Sequence, residues 1–109
     1  MFKRQNRLPG GRLNICSSFA TPLFILKVKS NNLGLNRFGV VASKKIDKRA
    51  VVRNRIKRML REIILNLNSG TIQGNDMLFI VKHGIINVAV RKCELEVINV
   101  LKKGKYIKV

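Results

Sequence analysis

SKKIDKRAVVRNRIKRMLR, residues 43–61, carries two patterns at once. From about Ala50 the apolar residues recur with helical spacing. Advancing about 100° per residue from Val52 gathers Val52, Ile56, Met59, Leu60, Ile63 and Leu67 into one stripe. Arg53, Asn54, Lys57, Arg58 and Arg61 cover the other side, with Arg53, Lys57 and Arg61 spaced i, i+4, i+8. The second pattern is charge. Lys44, Lys45, Lys48, Arg49, Arg53, Arg55, Lys57, Arg58 and Arg61 stand against one acid, Asp47. Such density repels itself unless a polyanion lies against it. The helix surface offers several charge-assisted donors to phosphate oxygens. Lys44 and Lys45 are expected at the end of a strand just before the helix, near its first turn, where backbone N–H groups also favour phosphate.

Outward from this stretch, Asn68-Ser69-Gly70 is a helix stop, and a polar loop leads to MLFIVK from Met77. That strand is apolar on both faces and is expected to be internal. RFGVVAS from Arg37 reads as a strand, so strand, helix and strand imply a crossover with the two strands parallel. In LFILKVK from Leu23, Phe24, Leu26 and Val28 share one face and Ile25, Lys27 and Lys29 the other, as in a half-buried strand. The turn-rich SNNLGLN from Ser30 leads us to expect antiparallel pairing with the strand at Arg37. Upstream, LNICSSFAT is a further extended segment set off by a kink at Pro22. VAVRKCELEVINVLKK from Val88 places Val90, Cys93, Val97, Val100 and Leu101 on one stripe of a second helix. Residues 1–12 form a basic arm containing Pro9-Gly10-Gly11, with no helix expected. GKYIKV is a basic tail.

At 109 residues the chain is expected to be a single domain, 1–109, burying roughly two thirds of its unfolded surface. A hydrophobic content of 46% makes it a folded domain and not a disordered tail. The formal charge of +18 and pI of about 11.3 point to nucleic acid. No long apolar run suggests membrane, and no apolar leader of the secretory kind precedes the domain, so a cytoplasmic location is expected. Cys16 and Cys93 have no metal-ligand spacing and are expected as reduced, packed thiols. Catalytic ingredients are scarce. The carboxylates Asp47, Glu62, Asp76, Glu94 and Glu96 form no pair or metal cluster. Glu62, four residues after Arg58, is expected in a helix salt bridge. His83 is the lone histidine and reads as structural or solvent-facing.

One resemblance covers nearly the whole chain. Arg37-Phe38-Gly39, Ser43-Lys44-Lys45, Ala50 to Arg58 (AVVRNRIKR) and Arg61-Glu62, with Asn6-Arg7-Leu8 and Phe24-Ile25-Leu26, resemble the protein subunit of bacterial ribonuclease P. The resemblance implies an α+β, two-layer sandwich with a small, mostly antiparallel sheet. One parallel pair is joined by a left-handed β-α-β crossover through the helix of the RNR motif, and a C-terminal helix follows, similar to a small-subunit ribosomal protein domain. Parallel crossovers are otherwise right-handed in about 98% of cases. The implied function is to bind the catalytic RNA and the 5′ leader of precursor tRNA, assisting endonucleolytic maturation of tRNA 5′ ends. The protein would be a monomer, one per RNA. The RNA carries the chemistry and holds most of the Mg2+, leaving no catalytic or metal-binding residues in the protein. By position, Lys44, Lys45, Arg53, Asn54, Arg55, Lys57, Arg58 and Arg61 are implied RNA contacts. Ile25 and Lys27 fall where the family's strand faces the leader cleft, and Phe19 is the aromatic candidate beside them. The segment before Phe24 departs from the family pattern, being short and interrupted by Pro9-Gly10-Gly11. The alternative reading is a structural, ribosomal-type RNA-binding protein with no role in cleavage.

Overall fold

The change of period at Ala50 is a helix start in the computed structural model, which describes residues 17–107. The basic arm, Cys16 and the last two residues lie outside the described range. Helix α1 spans Ala50–Leu67 and buries Val52, Ile56, Leu60, Ile63 and Ile64. Met59 and Leu67 flank the stripe half-buried. Ile64 joins the core because it lies only roughly 40° around the helix from Leu60. The stop at Asn68–Gly70 is a single 3-10 turn. There the Thr71 hydroxyl donates to the Leu67 carbonyl at 2.7 Å, satisfying one of the helix's last oxygens.

Four strands form one sheet: β1 Ser17–Ala20, β2 Phe24–Ser30, β3 Arg37–Val41 and β4 Asn75–Val81. Their order is β1-β2-β4-β3. Strands β3 and β4 are parallel, with α1 between them in the chain, while β4 runs antiparallel to β2 and β2 to β1. The expected antiparallel pairing of β2 with β3 is therefore corrected, because β4 lies between them. The cause is in β4 itself, where Met77, Leu78 and Phe79 are all buried and the strand gains most with a neighbour on each edge. The link from β2 to β3 is long enough to step across that strand. It turns through left-handed Asn32 (φ 58°) and Gly34 (φ 75°). Buried Asn36 then accepts from the Asn75 backbone N–H at 2.9 Å and donates its own N–H to Gln73 Oε1 at 3.1 Å.

The kink at Pro22 is a full reversal, making β1 and β2 a hairpin. Buried Thr21 closes it, its hydroxyl oxygen accepting from the N–H groups of Leu23 and Phe24 at 3.1 and 3.0 Å. The 3-10 turn His83–Ile85 packs onto this corner. A Cβ on Gly84 would stand 2.7 Å from the Pro22 carbonyl oxygen, so only glycine fits there.

Helix α2 spans Val90–Lys103 and buries Cys93, Val97, Val100 and Leu101. Val90, expected on that stripe, is 56% exposed. It begins the helix and overhangs the core instead of entering it. Both helices pack on the face of the sheet that carries Phe24, Leu26, Val28, Phe38, Met77, Phe79 and Val81. Phe24 and Phe79 meet there at 5.3 Å between ring centroids. The result is the expected α+β two-layer sandwich.

Candidate nucleic-acid interface

The loop before α1 is built by its one acid. Asp47 Oδ1 accepts from the Arg49 backbone N–H at 2.8 Å, and its carboxylate pairs with the Arg49 guanidinium at 2.9 Å. Hydrogen bonds from Arg49 hold the Asp47 carboxyl down to about 2, so the pair stays ionised at any physiological pH. Arg53 reaches back from the first turn and donates to the Asp47 and Lys48 carbonyl oxygens at 2.9 and 3.0 Å. These bonds fix where the chain enters the helix. They were not legible as spacing, although an aspartate three residues ahead of a helical period is a turn signal.

Lys44 and Lys45 lie exposed in the turn closed by the Ile46 N–H on the Ser43 carbonyl at 3.0 Å. The strand ends earlier than expected, at Val41.

The basic residues of α1 divide by face. Asn54, Arg58 and Arg61 are exposed and, with Glu62, border one open surface depression. Lys57 and Arg53 are half-buried on one flank, and Arg53 is already engaged with the loop carbonyls. Arg55 is exposed on the other flank, beside the approach to α2. The i, i+4, i+8 row is thus real in angle but uneven in availability, with Arg61 its freest member. The expected Arg58–Glu62 bridge is not formed. The described ion pairs are Arg37–Asp76 and Arg49–Asp47. An acid four residues after its base has the weaker orientation on a helix.

The far face of the sheet is a second surface. The register aligns Ile25 with Ile80, Lys27 with Leu78 and Lys29 with Asp76. It puts Gly39 and Val41 of β3 beside Leu78 and Ile80. Ile25 and Lys27 therefore share an apolar, lysine-bearing face turned away from the helices. Phe19 pairs with Leu26 and so points to the helix side. It meets Tyr106 edge-on at 5.9 Å. The three cleft candidates are split, two on one face and one on the other. At one end of the far face, Asp76 accepts both Arg37 guanidinium bonds at 2.7 Å and the Asn31 amide at 2.9 Å.

Among the described residues, no group of three or more His, Cys, Asp or Glu could hold a metal, and Asp47 and Asp76 are each tied to an arginine. His83 is exposed. The exposed basic groups of α1 lie in a row whose spacing and donors suit phosphate oxygens. No described helix is long and apolar enough to cross a membrane.

A family model described as Ribonuclease P matches residues 14–105. The chain is 36% identical over 90 residues to the ribonuclease P protein component of Natranaerobius thermophilus, covering 83% of this chain and 77% of that one. It is 38% identical over 88 residues to that of Clostridium botulinum (strain Loch Maree / Type A3), covering 80% and 78%. Among solved structures, the ribonuclease P protein of Staphylococcus aureus superposes with a TM-score of 0.74 at 27% identity, covering 85% of this chain and 84% of that one. The ribonuclease P protein of Thermotoga maritima, at 24% identity and TM-score 0.75 over 81% and 83%, shares the fold.

Proposed function

From the premise that the chain belongs to the ribonuclease P protein family, we propose that it is the protein component of ribonuclease P and assists cleavage of precursor tRNA at the mature 5′ end. The carrying observation is a helix whose two faces have separate duties. Val52, Ile56, Leu60, Ile63 and Ile64 hold α1 to the sheet, leaving Asn54, Arg58 and Arg61 exposed, with Lys44 and Lys45 exposed in the turn that precedes the helix.

The division of labour is that the protein binds and the RNA subunit cuts. Exposed guanidinium and ammonium groups neutralise phosphates of the catalytic RNA, releasing counterions and lowering the repulsion between it and its RNA substrate. Arg55, Arg58 and Arg61 supply forked donors suited to phosphate oxygens, while Lys44, Lys45 and Lys57 act as point charges. Arg53 contributes chiefly by fixing the loop that presents Lys44 and Lys45. The 5′ leader lies on the far face of the sheet along Ile25 and Lys27. Phe19 packs edge-on against Tyr106 on the other face of the sheet, which favours Ile25 and Lys27 over it as leader contacts.

Protein-bound Mg2+ is commonly held by one or two free carboxylates together with phosphates, and Asp47 and Asp76 are each committed to an arginine. The ion belongs to the RNA, and no step passes through protein ligands. One protein copy serves one RNA in the cytoplasm.

The test is binding of the full chain to catalytic RNA across a salt series. About six phosphate contacts give a log–log slope of roughly −4 to −5. A slope near zero would overturn the reading.

A further inference from the structure

A second groove lies beside the RNA-facing helix and is not explained by the basic row. It measures about 360 Å3 and runs between the first turns of α1 and the segment entering α2, within the range of clefts that take small ligands, roughly 300 Å3 and upward. Buried Ile56 and Ile85 form its floor, and half-buried Met59 and Val88 its walls. Its rim carries exposed Arg55, Asn87 and Val90, and Arg55 is the charged residue among those lining it. Asn87 is held in the left-handed region at φ 67°, a conformation that asparagine tolerates better than most residues. Beyond the rim, exposed Arg91 and Lys92 open α2, whose first turn holds no acid.

We propose that this groove receives one unpaired nucleotide of the catalytic RNA. The chemistry of the lining fits each part of a nucleotide. The apolar floor and the Met59 thioether suit a base face, since sulfur packs well on aromatic rings. The Asn87 carboxamide can both donate to and accept from a base edge. Arg55 can take the phosphate, and Arg91 and Lys92 extend the same charge along the backbone. The basic rim suits any anion, and its place only a fraction of a turn from the basic row that α1 presents to RNA favours RNA over an acidic protein partner. Splayed, unpaired nucleotides are what proteins read in folded RNA. The proposal rests on the reading of the chain as an RNA-binding subunit and adds a site to it.

The experiment measures affinity of the full chain for catalytic RNA with two variants, each checked for its helix content by circular dichroism. Val90→Glu puts a negative charge on the rim. An acid in the first turn suits the dipole of α2, so the helix is kept. Leu95→Glu adds the same charge on α2 at a position 53% exposed that does not line the groove. The expected result is a weakening of about tenfold for Val90→Glu, with Leu95→Glu within about twofold of the parent. Equal losses for the two glutamate variants would reduce the effect to net charge and overturn the site. So would full affinity for Val90→Glu, which would leave the groove to a protein partner or to none. A parent chain that fails to bind catalytic RNA at all would instead overturn the underlying reading, and this site with it.

Discussion

At the scale of single residues, the most informative group is Asp76. It is 6% exposed and accepts three hydrogen bonds, two from Arg37 and one from Asn31. Arg37, the largest influence, holds its carboxyl below the usual carboxylate range. The unfolded chain therefore binds a proton at Asp76 more readily than the folded one. This contribution to stability is complete above the unfolded value of about 4 and is lost as pH falls through the lower folded value. Asp76→Ala is expected to cost about 2 kcal/mol, less than a wholly buried pair because Arg37 keeps part of its side chain in water. Urea melts of parent and variant at pH 7 and pH 3 check this, and the gap should narrow at the lower pH. Cys93 gives a second test. It is fully buried, and burial first, then Glu96, raises its thiol to about 11. The thiol is expected to resist iodoacetamide in the native protein and to react at once in denaturant, as peptide mass spectrometry would show. The packed Cys93 was legible from its place on the helical stripe with Val97, Val100 and Leu101, but the Arg37–Asp76 pair was not. The sequence places Arg37 and Asp76 far apart, and only the parallel register of β3 and β4 brings them together.

At the scale of elements, α1 was legible almost residue for residue, because the helical period begins at Ala50 and ends at the Asn68-Ser69-Gly70 stop. Its uses of charge were less so. Arg53 has the same spacing as Lys57 and Arg61, yet its guanidinium turns back to two loop carbonyls, a choice made by loop geometry and not by helical angle. Arg58→Ala is therefore expected to flatten the salt dependence of RNA binding by nearly one unit while leaving the melting temperature unchanged. Arg53→Ala should show the converse emphasis, with a stability loss of about 1 kcal/mol from the freed loop. Fluorescence anisotropy over a salt series, paired with thermal melts, separates the two. Leu60→Ala, at a fully buried position, should cost about 3 kcal/mol in urea melts. The sheet was half legible. Alternation gave the faces of β2, and a doubly apolar β4 gave its central place. The parallel pair of β3 and β4 followed from the crossover, but the partner of β2 stayed hidden, because a polar link of this length permits either a hairpin or a step across one strand. The face that Phe19 takes stayed hidden for a related reason. Its face follows from the register across the Thr21 turn, which residue types alone do not set.

At the scale of the whole molecule, the +18 charge, the basic face of α1 and the lysine-bearing far face of the sheet place positive charge on more than one side, as the proposed RNA binding requires. Its family membership decides against the ribosomal-type alternative and makes cleavage of precursor tRNA the relevant activity. The central claim is that this protein binds while its RNA partner cuts. The direct measurement is single-turnover cleavage of precursor tRNA by catalytic RNA at low magnesium, with and without the full chain. We expect the protein to raise the rate by at least about tenfold and to cut nothing by itself. An unchanged rate on adding protein, or cleavage by the protein free of RNA, would contradict the account.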